Sequence, residues 1–483
     1  MPSVKQYQAL QFNGFARGLN NHADSSRLEN DELAHAMNVR LGPRGETQIR
    51  TGYSRFDDGT ATAEVSHLFR WRTFGGQDYL FVVDVDGSIR AGSTVTFPDS
   101  LQSVPPGTNL QDFGVGMAGA NKDAYLSSKT ATAVVSFDGS NWAQIATIPV
   151  AKSLHHRHDR LFAVNTTDNP SRIFFSDFLD PEVFQAESWI DLDPDDGFEI
   201  NASAVFGDDL LLFKDRAIWK LSGRTPASFA TYRVDSHRGT IAPRSLSQLR
   251  GRLVFMDRDT GVWAFDGANF ELLSEPINDY LLENQDYDLG YLASAYVAVD
   301  RMYLSVPWKG GGHHTFAYFA DTGGWVEYDT GFEHAVFHTA RRFHALPGAV
   351  GVYENDPDSQ LHPPSVTPLV AKFRTPWVRV GGPGLKARIR RIEMTVKATA
   401  TTDFTVRMFR DFDGTVTYVE RTFTGGPVPY IAAVTDEERV IASDGWGNRL
   451  HAIQFEIETN DAPFQLNDMT VFYTGGVDVR GER

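Results

Sequence analysis

A mainly-β chain, with a propeller of about six to seven blades followed by a β-sandwich, is the architecture this sequence predicts. Three observations predict it. Short apolar runs rich in β-branched and aromatic residues recur, each closed by an Asp/Gly turn, with no long helical stretch between them. Hairpin partners return at roughly 40 to 50 residues, the repeat length of a propeller blade. A proline-rich break from Asn355 to Pro368 then separates this region from a second set of alternating strands.

Composition narrows the classes of function. The chain has 483 residues, more than one core usually supports, a large propeller being the main exception. Its 34 Phe favour stacked sheets, because flat rings fill the space between them. With no cysteine, disulfides, thiolate metal sites and cysteine nucleophiles are excluded. The formal net charge of -17 disfavours sequence-reading of DNA, which depends on phosphate neutralisation by Lys and Arg. A like-charged wall still lets a polyanion pass without sticking. The opening Met1-Pro2-Ser3-Val4-Lys5 is not followed by an apolar core, so no secretory signal is expected. No run approaches about 18 apolar residues, so no helical membrane span is expected, and assembly in the cytoplasm is.

Residues 1–60 form a lead-in. Gly14, Gly18, Gly42-Pro43 and Gly45 are turn material, and Glu46 to Arg50 reads as a strand ending at Gly52. Asp31 to Met37 reads as a short helix, with Asn30 or Asp31 as its N-cap.

Residues 61–355 carry the propeller. Leu80–Val85 and Ala133–Phe137 each end at Asp-Gly; Arg160–Val164 pairs with Arg172–Phe175, and Leu210–Phe213 with Ala217–Leu221. Leu253–Met256 pairs with Gly261–Phe265, and Arg301–Val306 with Thr315–Phe319. The count is about six blades, or seven if His334 to Tyr353 supplies strands and the lead-in closes the ring; a two-sheet sandwich is the structural alternative. Residues 356–368 are the linker. Residues 369–483 form the C-terminal sandwich, with strands expected over 387–397, 403–410, 415–423, 451–457 and 467–473.

Candidate chemistry is sparse. Asp191, Asp193 and Asp195, with Gly197, resemble the start of a calcium loop, but the closing Glu is replaced by Ala202 and Pro194 favours an acidic turn. In His155-His156-Arg157-His158, adjacent strand residues face opposite ways, so only His156 and His158 share a side, and a polar strand edge is expected. Gly310-Gly311-Gly312 lacks the Gly-Lys-Ser/Thr and helix of a phosphate loop, and reads with Gly425-Gly426 as hairpin tips. Glycosidase chemistry needs two carboxylates flanking one bond, and no pair is placed in one cleft by sequence. No Gly-x-Ser-x-Gly elbow occurs. No catalytic residue, cofactor or metal is therefore assigned. Lys386, Arg388 and Arg390 alternate along one strand and are the subunit-interface candidates, with an acidic neighbouring copy as the expected target.

An ordered series of small motifs adds a resemblance. Gly18-Leu19-Asn20, Glu32-Leu33-Ala34, Asn38 and Gly45 through Arg50-Thr51-Gly52 resemble the opening of tailed-phage structural proteins. Ser171-Arg172-Ile173-Phe174-Phe175-Ser176 with Asp180-Pro181, Leu212-Phe213-Lys214, Ile218-Trp219 and Gly239-Thr240-Ile241-Ala242-Pro243-Arg244-Ser245 are similar to their middle. Gly261-Val262-Trp263, Asp266-Gly267, Leu273-Ser274 and Lys386 to Arg391 continue the series in order. The family resembled is the tail nozzle of short-tailed (podovirus) phages, also called tail tubular protein B. The resemblance implies a non-catalytic virion protein, a homo-oligomeric and hexameric ring below the head-to-tail adaptor, contacts with tail fibres or spikes, and a channel through which DNA is ejected without membrane insertion of the ring. Gln48-Ile49 departs from the usual approach to Arg50, which leaves the hub of another tail type open. A receptor- or glycan-binding propeller at a tail hub or tip is the alternative.

Overall fold

The computed structural model describes residues 8–56, 63–73, 75–93, 116–120, 123–131, 133–338, 341–356, 361–362, 367–380, 386–398, 402–424, 438–443, 450–460 and 464–477. Seven antiparallel sheets follow one another in chain order, over residues 65–93, 116–145, 151–191, 202–235, 247–272, 294–328 and 334–356. They are numbered blades 1 to 7 below. Each is a meander in which tight turns reverse the chain, as at His158-Asp159, both left-handed, between Ala151–Arg157 and Arg160–Thr166. Blade 1 has three described strands, and residues 94–115 lie outside the described ones.

Apolar faces alternate with turns, so each blade buries side chains against both neighbours. Trp71 and Phe81 of blade 1 meet Ala124 and Phe137 of blade 2. Phe162 and Ile173 of blade 3 meet Leu210 and Leu212 of blade 4, and Phe213 meets Phe255 of blade 5 at 5.1 Å between ring centroids. Closure is direct: Val65, Leu68 and Leu80 of blade 1 pack on Phe343 and Val352 of blade 7. The architecture is a seven-bladed β-propeller.

The last blade takes its outermost strand from the lead-in. Gly52–Arg55 pairs antiparallel with Tyr353–Asp356, Tyr53 standing opposite Asn355. Joining the two ends of the ring in one sheet makes opening the ring cost a whole strand's hydrogen bonds. The propeller therefore begins inside the segment read as lead-in.

The expected helix at 31–37 is not formed. Glu32–Leu33 runs parallel to Gly18–Leu19, and His35–Met37 lies between Gly324–Tyr328 of blade 6 and Ala371–Arg374. Leu33 and Ala36 are fully buried there. Tertiary ladders on both sides override a helix propensity that is weak for so short a run. The α-helix among the described residues is Asn278–Asn284, after blade 5.

The C-terminal unit is a sandwich, but not a separate one. One layer contains Lys386–Ala398, Phe464–Val477, Glu438–Ser443 and three lead-in strands, Gln8–Phe12, Val39–Leu41 and Thr47–Ile49. The other contains Ala371–Arg374, Ala452–Thr459, Asp403–Arg410 and Val419–Thr424, and continues through His35–Met37 into blade 6. The expected strand from 415 begins only at Val419, because Asp413 caps a turn there through its side chain. A single apolar core runs from Phe12 and Leu19 through Trp325 and Phe316 to Phe455 and Met469. In the linker, Leu361–His362 and Thr367–Pro368 form a two-strand ladder; the rest of it from 357 to 366 lies outside the described residues.

Candidate functional site

Asn38 is where the chain passes from one sheet to another. It separates His35–Met37, in the blade 6 sheet, from Val39–Leu41, in the sandwich sheet, with a left-handed φ of 56°. Asparagine tolerates this conformation better than most residues. Its N–H donates to the Glu327 carbonyl at 2.8 Å and its Nδ2 to the Val370 carbonyl at 2.9 Å. Its Oδ1 accepts from Arg50 Nε at 3.0 Å and from the Asp329 N–H at 3.3 Å. One buried side chain thus holds blade 6, the lead-in and the first residues of the sandwich.

Arg50 completes the joint. Its Nη1 donates to the Thr51 carbonyl at 3.1 Å and its Nη2 to Thr330 Oγ1 at 2.6 Å, with Asp329 at 3.6 Å. The guanidinium lies 5.0 Å from the Tyr328 ring centroid and 5.6 Å from that of Tyr53. Burial pushes the hydroxyls of Tyr53 and Tyr328 up, so both stay neutral. The space left among these rings is about 10 Å³, water-sized, so the cage is a filled lock.

Six blades and the turn leading into blade 5 line one cavity of about 200 Å³ on the propeller axis. Arg244 reaches into it from the tight turn Pro243–Ser245, next to the first strand of blade 5. Its Nη1 and Nη2 face the carbonyls of Ser66 and Leu292 at 3.3 and 3.4 Å, and Glu333 is 3.6 Å away. Across the cavity, Ser153 and Ser203 hydroxyls meet at 2.6 Å and His155 Nε2 meets Ser203 Oγ at 2.8 Å. Burial pushes His155 down to about 4. His334 falls to about 3, first through burial and then through the Arg244 charge. Its Nδ1 accepts the Leu68 N–H at 3.0 Å, which puts the ring proton on Nε2. Lys152 reaches Glu199 at 3.3 Å, and Lys129 holds the other oxygen at 2.7 Å. Burial alone would raise Glu199, but the two lysines outweigh it and hold it at about 2.

The basic strand is present with a changed face. Lys386 and Arg388 point outward while Ala387 and Ile389 are buried, as alternation requires. The ladder to Phe464–Val477 then slips between Ile389 and Arg391, leaving Arg390 as the extra residue, 3.3 Å from Thr474 Oγ1. Arg391 takes the next exposed position, stacked 4.2 Å over Phe472 and paired with Glu393 at 2.9 Å. The stripe is therefore four cations, and a bulge is the reason sequence alternation misses Arg391.

The remaining candidates are dispersed. Asp191 pairs with Arg172 at 2.6 Å, and Asp193 turns its carbonyl to Lys214, while Asp195 is exposed. Lys214 also takes Asp196 at 2.7 Å, so these carboxylates answer to different cations and do not converge. His155 is not at a polar edge; it faces the axis, whereas His158 sits in the hairpin turn against the Asp208 carbonyl at 3.2 Å. Gly311 and Gly312 are left-handed in a hairpin tip closed by Trp308 N–H to Gly312 O at 3.0 Å. Gly425-Gly426 lies outside the described residues. Nothing in the sequence singled out the axial cavity, since its walls come from short strands far apart in the chain.

No protein-family model and no curated protein matches the chain. Among solved structures it is similar to BamB from Moraxella catarrhalis, with 11% identity over 67% of this chain and 92% of that one and a TM-score of 0.41. It is also similar to YCF48 bound to D1 peptide, with 11% identity over 64% and 97% and a TM-score of 0.42. BBS1N in complex with ARL6DN gives 11% identity over 64% and 99%, also at 0.42. The propeller assignment rests on the closed ring of sheets described above.

Proposed function

We propose that this protein is a structural subunit of a bacteriophage tail, one copy of an oligomeric nozzle through which the genome leaves the particle. The observation that carries the proposal is the weaving of the lead-in. It supplies strands to the sandwich, to the edge of blade 6 and to blade 7, and the Asn38–Arg50 joint ties the three together. Such a body carries one apolar cluster across the boundary between blade 6 and the sandwich, which suits a part that transmits force between neighbours. The ordered motifs of the resemblance fall on this frame: Asn38 and Arg50 form the joint, and Arg244 sits on the axis.

The propeller's own hole is not the conduit. A cavity of about 200 Å³, lined by the Arg244 side chain, cannot admit a nucleic-acid duplex. In a nozzle, the lumen must lie between copies, with propellers as the wall. The outward stripe of Lys386, Arg388, Arg390 and Arg391 offers a cationic face to an acidic neighbour, and the chain's charge of -17 makes another copy a suitable one. Native mass measurement on the full chain tests the proposal, with a closed oligomer expected. The receptor-binding alternative predicts that the full chain binds glycans on a broad array; the nozzle predicts that it does not.

A further inference from the structure

We propose that the cavity on the propeller axis is a binding site for a small organic anion, a carboxylate or phosphate monoester with a compact apolar group. Residues of six blades and of the turn leading into blade 5 meet at the cavity, and among the described residues no Asp or Glu lines it although the chain carries 62 of them. Two cations line it, Arg244, with Glu333 3.6 Å behind it outside the lining, and Lys152. Glu199 is shared between Lys129 and Lys152, which leaves that corner with one positive charge in excess.

Arg244 is set in place before any ligand arrives. Ser245 Oγ donates to the Ala242 carbonyl at 2.7 Å and accepts the Met256 N–H at 3.1 Å, and the Ala242 N–H donates to Thr240 Oγ1 at 3.0 Å. These bonds fix the turn that aims the guanidinium at the axis, and a planar guanidinium matches an oxyanion in two parallel hydrogen bonds. A buried cation is costly to keep, and an apolar side chain of similar size would fill the axis at least as stably. On the opposite wall the Ser153–Ser203–His155 chain supplies hydroxyl donors without adding charge, because His155 is neutral there. Phe69, Met117, Leu154 and Leu246 add apolar wall, beside the polar side chains of His67, Asn201 and His334. Apolar cavities of about 150 Å³ accommodate a benzene ring, so this one suits a ring or short chain carrying one anionic head.

The test uses the full chain with benzoate, its uncharged isostere benzamide, and inorganic phosphate. Calorimetric titration is expected to show saturable benzoate binding and none of benzamide. Phosphate competing with benzoate marks the shared oxyanion contact. Lys152→Met and Arg244→Met should each weaken benzoate about tenfold or more, while Arg244→Lys retains part of it. If Arg244→Met fails to fold, Lys152→Met and proton NMR of the wild type decide: benzoate should move the ring resonances of His155 and His334 at the axis and leave those of His22 and His237 unmoved. Absence of saturable binding of both anions at millimolar concentration overturns the proposal. So does benzoate binding unchanged in Lys152→Met with the axial histidine resonances unmoved.

Discussion

Arg50 donates from Nε to Asn38 Oδ1 at 3.0 Å, and through that bond a lead-in residue locks the residue at which the chain leaves the propeller for the sandwich. The two are 12 residues apart, yet the partners they gather, Glu327, Thr330 and Val370, lie about three hundred residues downstream. The joint makes propeller and sandwich one body.

Asn38→Ala is expected to destabilise the chain by about 2–4 kcal/mol, from buried groups left without partners and from a left-handed conformation alanine resists. Asn38→Gly keeps the backbone geometry and should lose somewhat less. Urea unfolding of both variants checks this; a loss under about 0.5 kcal/mol in Asn38→Ala would show that the joint is not rigid.

Arg50→Lys keeps the charge but not the fork or the stacking between Tyr53 and Tyr328. A loss of about 2–4 kcal/mol is expected, in the range for breaking a buried charged network. The melting temperature relative to wild type reports it. Lys in place of Arg without effect would mean that charge alone holds the cage.

Acidification should destabilise the propeller through its buried histidines. His155, His334 and His344 are held at about 4, 3 and 3 in the folded state, in each case first by burial, against an ordinary value of 6.5. The unfolded chain therefore binds more protons than the folded one below about pH 6.5, and stability is lost as pH falls from there toward 4. Each histidine adds a slope of up to about 1.4 kcal/mol per pH unit in that window. Glu199, at about 2 when folded against an ordinary 4.5, loses its contribution as pH falls between those values and so does not confuse the interval from 6.5 to 5. Urea midpoints over that interval should fall in wild type, and less steeply in His344→Gln.

Charge reversal on the basic strand separates assembly from folding. Lys386→Glu with Arg388→Glu should leave stability within about 0.5 kcal/mol, since both side chains are outward and belong to no ion pair among the described residues. Oligomers, by contrast, should dissociate at physiological salt. Light scattering paired with thermal melts reads both. Unchanged oligomers would move the contact elsewhere.

The hairpins were legible because their signals are local. Leu210–Phe213 and Ile218–Ser222 are two apolar runs with a turn between, and their register follows from spacing alone. Seven blades were legible only as one of two counts, because blade 7 borrows Gly52–Arg55 from nearly three hundred residues away. The interleaving of lead-in and sandwich was not legible at all. Gln48 bonds Gln465 at 2.8 Å across 417 residues, and no local pattern encodes such a pairing. The same cause explains the missed strands at 32–37: burial of Leu33 and Ala36 is decided by neighbours that sequence does not bring near. Arg244 was visible within an ordered motif, but its place on the axis is a property of the closed ring.

Electron microscopy of assembled particles bearing a gold-labelled antibody to this chain reads copy number and position together, and so decides whether the chain is a nozzle subunit. Label on a closed ring at the tail is expected, with the lumen between copies and six copies as the number the nozzle resemblance implies. A chain found only as a 53.7 kDa monomer, in solution and in the particle alike, would contradict it.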